Sequence, residues 1–192
     1  MKQRLFNPFI YLAGGKALLL GVLAMGVTAI VASFSGVHFD GVLDMHKFFA
    51  PSPPALFFIE PLVDWLCATI IFYLAGRIFS TSAIRIIDVA GTMAFARWPM
   101  IFAALLGFTF KAISLTALHD IGKHMDMILA ASIGAFAAIP FIIWMIALMF
   151  NAFSVSCNLK GAKAIWIFIG ALLIAEVIAG LTCHFVHHHI NA

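Results

Sequence analysis

The stretch MILAASIGAFAAIPFIIWMIALMF, Met127–Phe150, decides the fold class. It runs for 24 residues without one charged side chain. Spanning a hydrocarbon layer of about 30 Å takes roughly 20 residues of helix, so this run is long enough to cross. Its apolar residues do not alternate with polar ones as those of a barrel strand would. A helix satisfies its own backbone hydrogen bonds, which lipid cannot do for it. The stretch therefore predicts a transmembrane helix.

The rest of the chain agrees in composition. Of its 192 residues, 64% are hydrophobic and 10% charged, with 20 Phe; the mean hydropathy is +1.11. Soluble domains sit nearer half apolar and a quarter charged, and a soluble fold of this size cannot hide so much apolar surface from water. The net charge of +3 and the absence of a long basic run give no reason to expect a nucleic-acid partner. Cys67, Cys157 and Cys183 are far apart in sequence, so neither a zinc ribbon nor a disulfide framework is signalled.

Working outward from Met127–Phe150, four further spans are expected: Ala17–Phe34, Ala55–Phe79, about Ile87 to Phe110, and Ala164–Phe185. The third is the least plain. Only 13 uncharged residues separate Arg97 from Lys111, so this helix must carry at least one of those charges. The expected architecture is all-α, a polytopic bundle of five transmembrane helices making one membrane domain over residues 1–192. The first span follows Lys2, Arg4 and Lys16. It exceeds the usual signal-peptide core and ends in a poor cleavage site, so it reads as retained.

Orientation follows from the basic residues of the short loops. With the N-terminus inside, the inner side holds eight Lys and Arg and the outer side holds Lys47, Lys111 and Lys123. That predicts N-in and C-out. Before the first span, Asn7-Pro8 reads as a capped helix start that Gly14-Gly15 ends, with Phe6, Phe9, Ile10 and Ala13 on one face. It suits a short helix lying in the interface.

The polar residues inside the spans are the functional candidates. Glu60 and Asp64 are four apart and share a helix face, roughly 8 and 14 Å below Ala55 at 1.5 Å per residue. They form either a cation or proton path, or a shallow polar mouth neutralised by Lys111 or Arg97. Arg97 precedes Trp98-Pro99; it either snorkels to the inner interface or lies within a bundle helix kinked at Pro99. Pro140 is expected to kink the fourth span. Glu176 sits midway along the fifth and must face the bundle, since a charge facing lipid there is too costly.

Small residues recur at four-residue spacing in Ala24, Thr28, Ala32, in Ala130, Gly134, Ala138 and in Ala171, Ala175, Ala179. That spacing lets helices approach closely, within the chain or between copies.

All eight histidines fall on the expected outer side: His38, His46, His119, His124, His184, His187, His188 and His189. Asp40, Asp44, Asp120 and Asp126 join them. His184 and His188 form an i, i+4 pair that can chelate a transition metal, and His187, His119 and His124 are further weak candidates. If the last helix runs to the end, Glu176, Cys183 and His187 align on one face within about 20°. The plainer reading is topological: neutral histidine is a permitted polar residue in a translocated segment. The run of three histidines near the C-terminus then marks the outer end of span five rather than a tag. HExxH, GxSxG and P-loop signatures are absent, and nothing nominates a catalytic residue or a cofactor.

Three stretches carry a resemblance: FNPFIYLAGGKALLLG (Phe6–Gly21), SGVHFDGVLDMH (Ser35–His46) and IRIIDVAGTMAFARWP (Ile84–Pro99). With five closely spaced spans, they make the chain similar to short bacterial members of the Yip1-domain family of membrane proteins. The resemblance implies an integral protein of the bacterial cytoplasmic membrane with no established enzymatic activity. Eukaryotic members act in vesicle trafficking with small GTPases. This chain has neither their long polar N-terminal region nor a DLYGP motif, so GTPase binding is not carried over. The expected function is a non-enzymatic scaffold, membrane-organising or partner-binding role. The alternative is a small transporter or channel that uses the intramembrane acids, with metal binding at the outer histidine face. Expected partners are the bilayer and a membrane protein or a second copy of the chain.

Overall fold

Among the described residues, five helical segments are long and apolar enough to cross a membrane. The computed structural model describes residues 5–47, 52–109 and 121–190, and for residues 121–124 and 127 the backbone alone. Helix α1 is Gly14–Ser35, α2 Leu56–Phe79, α3 Ile86–Ala96, α4 Met100–Leu106, α5 Ile121–Ser156 and α6 Gly161–Ile190. Among the described residues the one β pairing is an isolated antiparallel bridge between His38 and His46.

The helices wear their apolar residues on both faces, as lipid requires. Leu19, Leu23, Phe34, Ile70, Ile78, Phe136, Trp166 and Leu181 are exposed. The inward faces form a core in which Phe72 of α2 packs on Phe153 of α5 and Phe168 of α6, with ring centroids 5.3 and 5.4 Å apart. Met93, Met145, Leu148 and Met149 fill the space around them.

The third span is the central one. Of its window of 18 residues, 61% are buried, against 28–44% for the other four. It is α3 and α4 in series, extended by a 3₁₀ turn, Gly107–Thr109. The chain leaves the α-helix at Arg97, Trp98 and Pro99 and resumes at Met100. Proline lacks an amide hydrogen and its ring crowds the preceding turn, which accounts for the break. The span as a whole, Ile86–Thr109, agrees with the stretch expected from about Ile87 to Phe110, and its break falls at Pro99, the kink that was one of the two expected forms. The fourth span continues as helix through Pro140.

Close approach at the α1–α3 crossing depends on two glycines. A Cβ at Gly21 would run into the Phe95 backbone nitrogen and Ala94, and one at Gly91 into the Gly14 carbonyl. Thr28 and Ala32 of the expected small-residue stripe on α1 are buried, and Ala171, Ala175 and Ala179 on α6 are all buried.

The N-terminal segment differs from its expectation. Pro8–Ile10 is a 3₁₀ turn, and Asn7 makes no side-chain cap bond. Helix α1 begins at Gly14, whose φ of 59° only glycine adopts freely. The segment is held instead from α5, where Asn151 Nδ2 donates to the Phe6 carbonyl at 2.9 Å.

At the end of α1, Gly36 takes φ 72° and its amide donates to the Ala32 carbonyl. This left-handed cap turns the chain back towards the bundle. Val37, Phe39 and Val42 of the following loop are buried in the core. The loop is thus a plug among the helix ends.

Candidate functional site

The plug reaches in from one end of the bundle to the start of α2, the bend of the third span and the second half of α6. Each contributes polar side chains for a local reason. On α2, Glu60 and Asp64 are one turn apart and both face inward, 1% and 0% exposed. On α6, Glu176, Cys183 and His187 share the face expected of them, because α6 stays helical to Ile190. On the plug, the bridge between His38 and His46, with N–H···O distances of 2.8 and 3.2 Å, holds the loop as a narrow hairpin.

Glu60 is the focus. Its Oε1 stands 2.6 Å from His38 Nδ1 and 2.6 Å from His187 Nε2. Its Oε2 accepts from the Phe39 amide at 3.1 Å. Three ligand atoms, one each from the plug, α2 and α6, lie within 4.8 Å of one another. The His38 ring also lies on Phe57, centroids 4.2 Å apart, which fixes its orientation.

One turn deeper, Asp64 Oδ2 accepts from Arg97 Nη2 at 2.8 Å, and Arg97 Nη1 donates to the Val42 carbonyl of the plug at 3.2 Å. The break at residues 97–99 aims the guanidinium inward. Arg97 is 5% exposed, so of its two expected placements the buried one holds. Cys183 Sγ approaches Asp64 Oδ1 at 3.9 Å. Glu176 Oε2 accepts from the Leu43 amide at 2.8 Å, and a Cβ at Gly41 would stand 2.7 Å from Glu176 Oε1. Plug, α2, third span and α6 are thereby joined by one polar network.

A second, wetter group lies at the rim. His46 Nδ1 is 3.1 Å from Asp40 Oδ1 and 3.8 Å from Asp44 Oδ2. Burial pushes the Asp40 carboxyl up, but the His46 imidazole beside it outweighs burial and holds Asp40 below its ordinary value. The Asp40 hydrogen bond raises His46 against the lowering effect of burial. Each partner thus favours the charged form of the other.

Of the candidates named from sequence, Glu60, Asp64, Arg97, Glu176 and His187 all enter the network. His184 and His188 do not: both are exposed on α6, and among the described residues neither belongs to a converging group. Lys111 and His119 lie outside the described residues, as does the side chain of His124.

Sequence reasoning missed the plug. In sequence, His38, Asp40, Asp44 and His46 stand only as permitted polar residues of a translocated segment. The signal was present in HFDGVLDMH, two His and two Asp within nine residues. It lay beside buried apolar residues rather than in a wholly polar loop.

The fold defines the chain as a multi-pass α-helical membrane protein. Comparison with family models, with curated proteins and with solved structures yields no match.

Proposed function

We propose that the protein is a non-enzymatic membrane scaffold of Yip1-like type that binds a membrane-protein partner or organises the bilayer around it. One observation carries this reading: the intramembrane acids are engaged in holding the plug. Glu60 is bound by two imidazoles and an amide, Asp64 by Arg97, and Glu176 by the Leu43 amide. An ion path needs carboxylates that water can reach and leave. These are anchors in a packed junction. An apolar groove between α2 and α6 is lined by Ile71, Leu74, Ile78, Trp166 and Ile174, which suits acyl chains rather than ions. The stretches Phe6–Gly21, Ser35–His46 and Ile84–Pro99 support the Yip1-like assignment. The basic-residue asymmetry supports N-in, C-out placement in a bacterial cytoplasmic membrane.

The test is flux. The full chain reconstituted into sealed vesicles is expected to leave proton and alkali-cation permeability at the level of empty vesicles. A chain-dependent flux that Glu60→Gln or Glu176→Gln reduces would overturn the scaffold reading in favour of transport.

A further inference from the structure

We infer that His38 Nδ1, Glu60 and His187 Nε2 form a binding site for a divalent transition metal of zinc-like preference, seated where the plug meets α2 and α6. Three observations point there.

The first is convergence. Neutralising Glu60 needs one positive charge, and a single imidazolium supplies it. The structure instead aims two imidazoles from elements 149 residues apart (187 − 38) at the same carboxylate oxygen, each at 2.6 Å. Two imidazole nitrogens and one carboxylate oxygen make a donor set found at zinc and non-haem iron sites.

The second is the supporting shell. Metal sites hold their ligands through outer contacts. Here the other oxygen of Glu60 is held by the Phe39 amide, and the His38 ring packs on Phe57, centroids 4.2 Å apart, with the His46 ring 6.3 Å away. The His38 and His187 rings meet edge to face at 5.8 Å, so their nitrogens can point at one centre without stacking.

The third is charge. In the described network His46 balances Asp40 and Arg97 balances Asp64, while Glu60 and Glu176 are held by imidazoles and backbone amides. A divalent ion supplies Glu60 with a positive charge that neutral imidazoles and amides do not.

Metal–ligand distances of about 2.0–2.2 Å put donor atoms roughly 3.3 Å apart around a tetrahedral ion. A bound ion would take the place of the two 2.6 Å hydrogen bonds and set the donor atoms about 0.7 Å further apart. The imidazole protons now facing Glu60 leave these nitrogens, either to the opposite ring nitrogen or to water. Three protein ligands leave a further position for water.

The site stands independently of the scaffold role. The test uses tag-free, full-length protein in detergent, stripped with chelator and titrated with Zn²⁺ alone. One equivalent per chain is expected. His187→Ala and Glu60→Gln should each weaken binding by about 100-fold or more, since changes even outside the ligand shell cost 10–100-fold. The triple variant His184→Ala, His188→Ala, His189→Ala should bind as the parent does. Zinc X-ray absorption on the unmutated protein reads the ligands without relying on variants that fail to fold, and two imidazoles with oxygen are expected. No stoichiometric binding overturns the site. So does binding that survives His187→Ala but is lost in the triple variant, or a zinc spectrum with sulfur ligands.

Discussion

Glu60 on α2 and His187 on α6 stand 2.6 Å apart across 127 residues of sequence, and the same carboxylate oxygen reaches His38 of the plug. The two helices and the loop are therefore locked by a single side chain. Glu60→Ala leaves two imidazoles facing a cavity and frees the Phe39 amide. A buried polar group left unsatisfied costs about 1–3 kcal/mol. Thermal unfolding in detergent should show a loss of that order. A melting point equal to the parent's would show that the lock contributes nothing.

The Arg97–Asp64 pair is predicted to be the costliest to break. Both side chains are buried, and removing one partner of such a pair costs about 3–5 kcal/mol by leaving the other charge uncompensated. Arg97→Ala and Asp64→Ala should each destabilise strongly or abolish folding. The double variant Arg97→Met, Asp64→Leu should recover much of the loss, since a buried ion pair can be replaced by well-packed apolar residues. A double variant no more stable than either single one would refute this account.

The α1–α3 crossing predicts a contrast between glycines. Gly91→Ala forces a methyl into the Gly14 carbonyl, and overpacking of this kind costs about 1–3 kcal/mol. Gly26, in the same helix pair, has open space where its Cβ would stand. Gly26→Ala should be neutral or stabilising by up to about 1 kcal/mol. Equal effects at the two positions would contradict the packing.

Orientation is tested by impermeant thiol reagents in a background with Cys67 replaced. Asp44→Cys, on the plug, is expected to label from the outside of intact cells, and Lys160→Cys, in the turn between α5 and α6, only after the membrane is opened. The reverse pattern would invert the proposed topology.

How much of this was legible in the sequence depends on the range of the interaction. The five spans could be read locally, because hydropathy over about 20 residues is a property of the segment itself. The inward face of Glu176, Cys183 and His187 was legible for a similar reason, since helical periodicity is local. The bend at Arg97 was left open, because proline marks a break without saying which way the guanidinium then points. The plug was missed. Its burial comes from a glycine cap at Gly36 followed by Val37, Phe39 and Val42 finding space between helices far away in sequence.

By itself the sequence determined the solvent of this protein: too many apolar side chains for water, gathered in runs that only helices can carry across lipid. The tertiary structure alone decided what the few polar residues do. Glu60, Asp64 and Glu176 are costly in a low-dielectric interior wherever they stand, and segment composition cannot name what satisfies them. Their partners are His38, His187, Arg97 and a loop amide, brought together by the packing of helices whose sequences hold no record of one another.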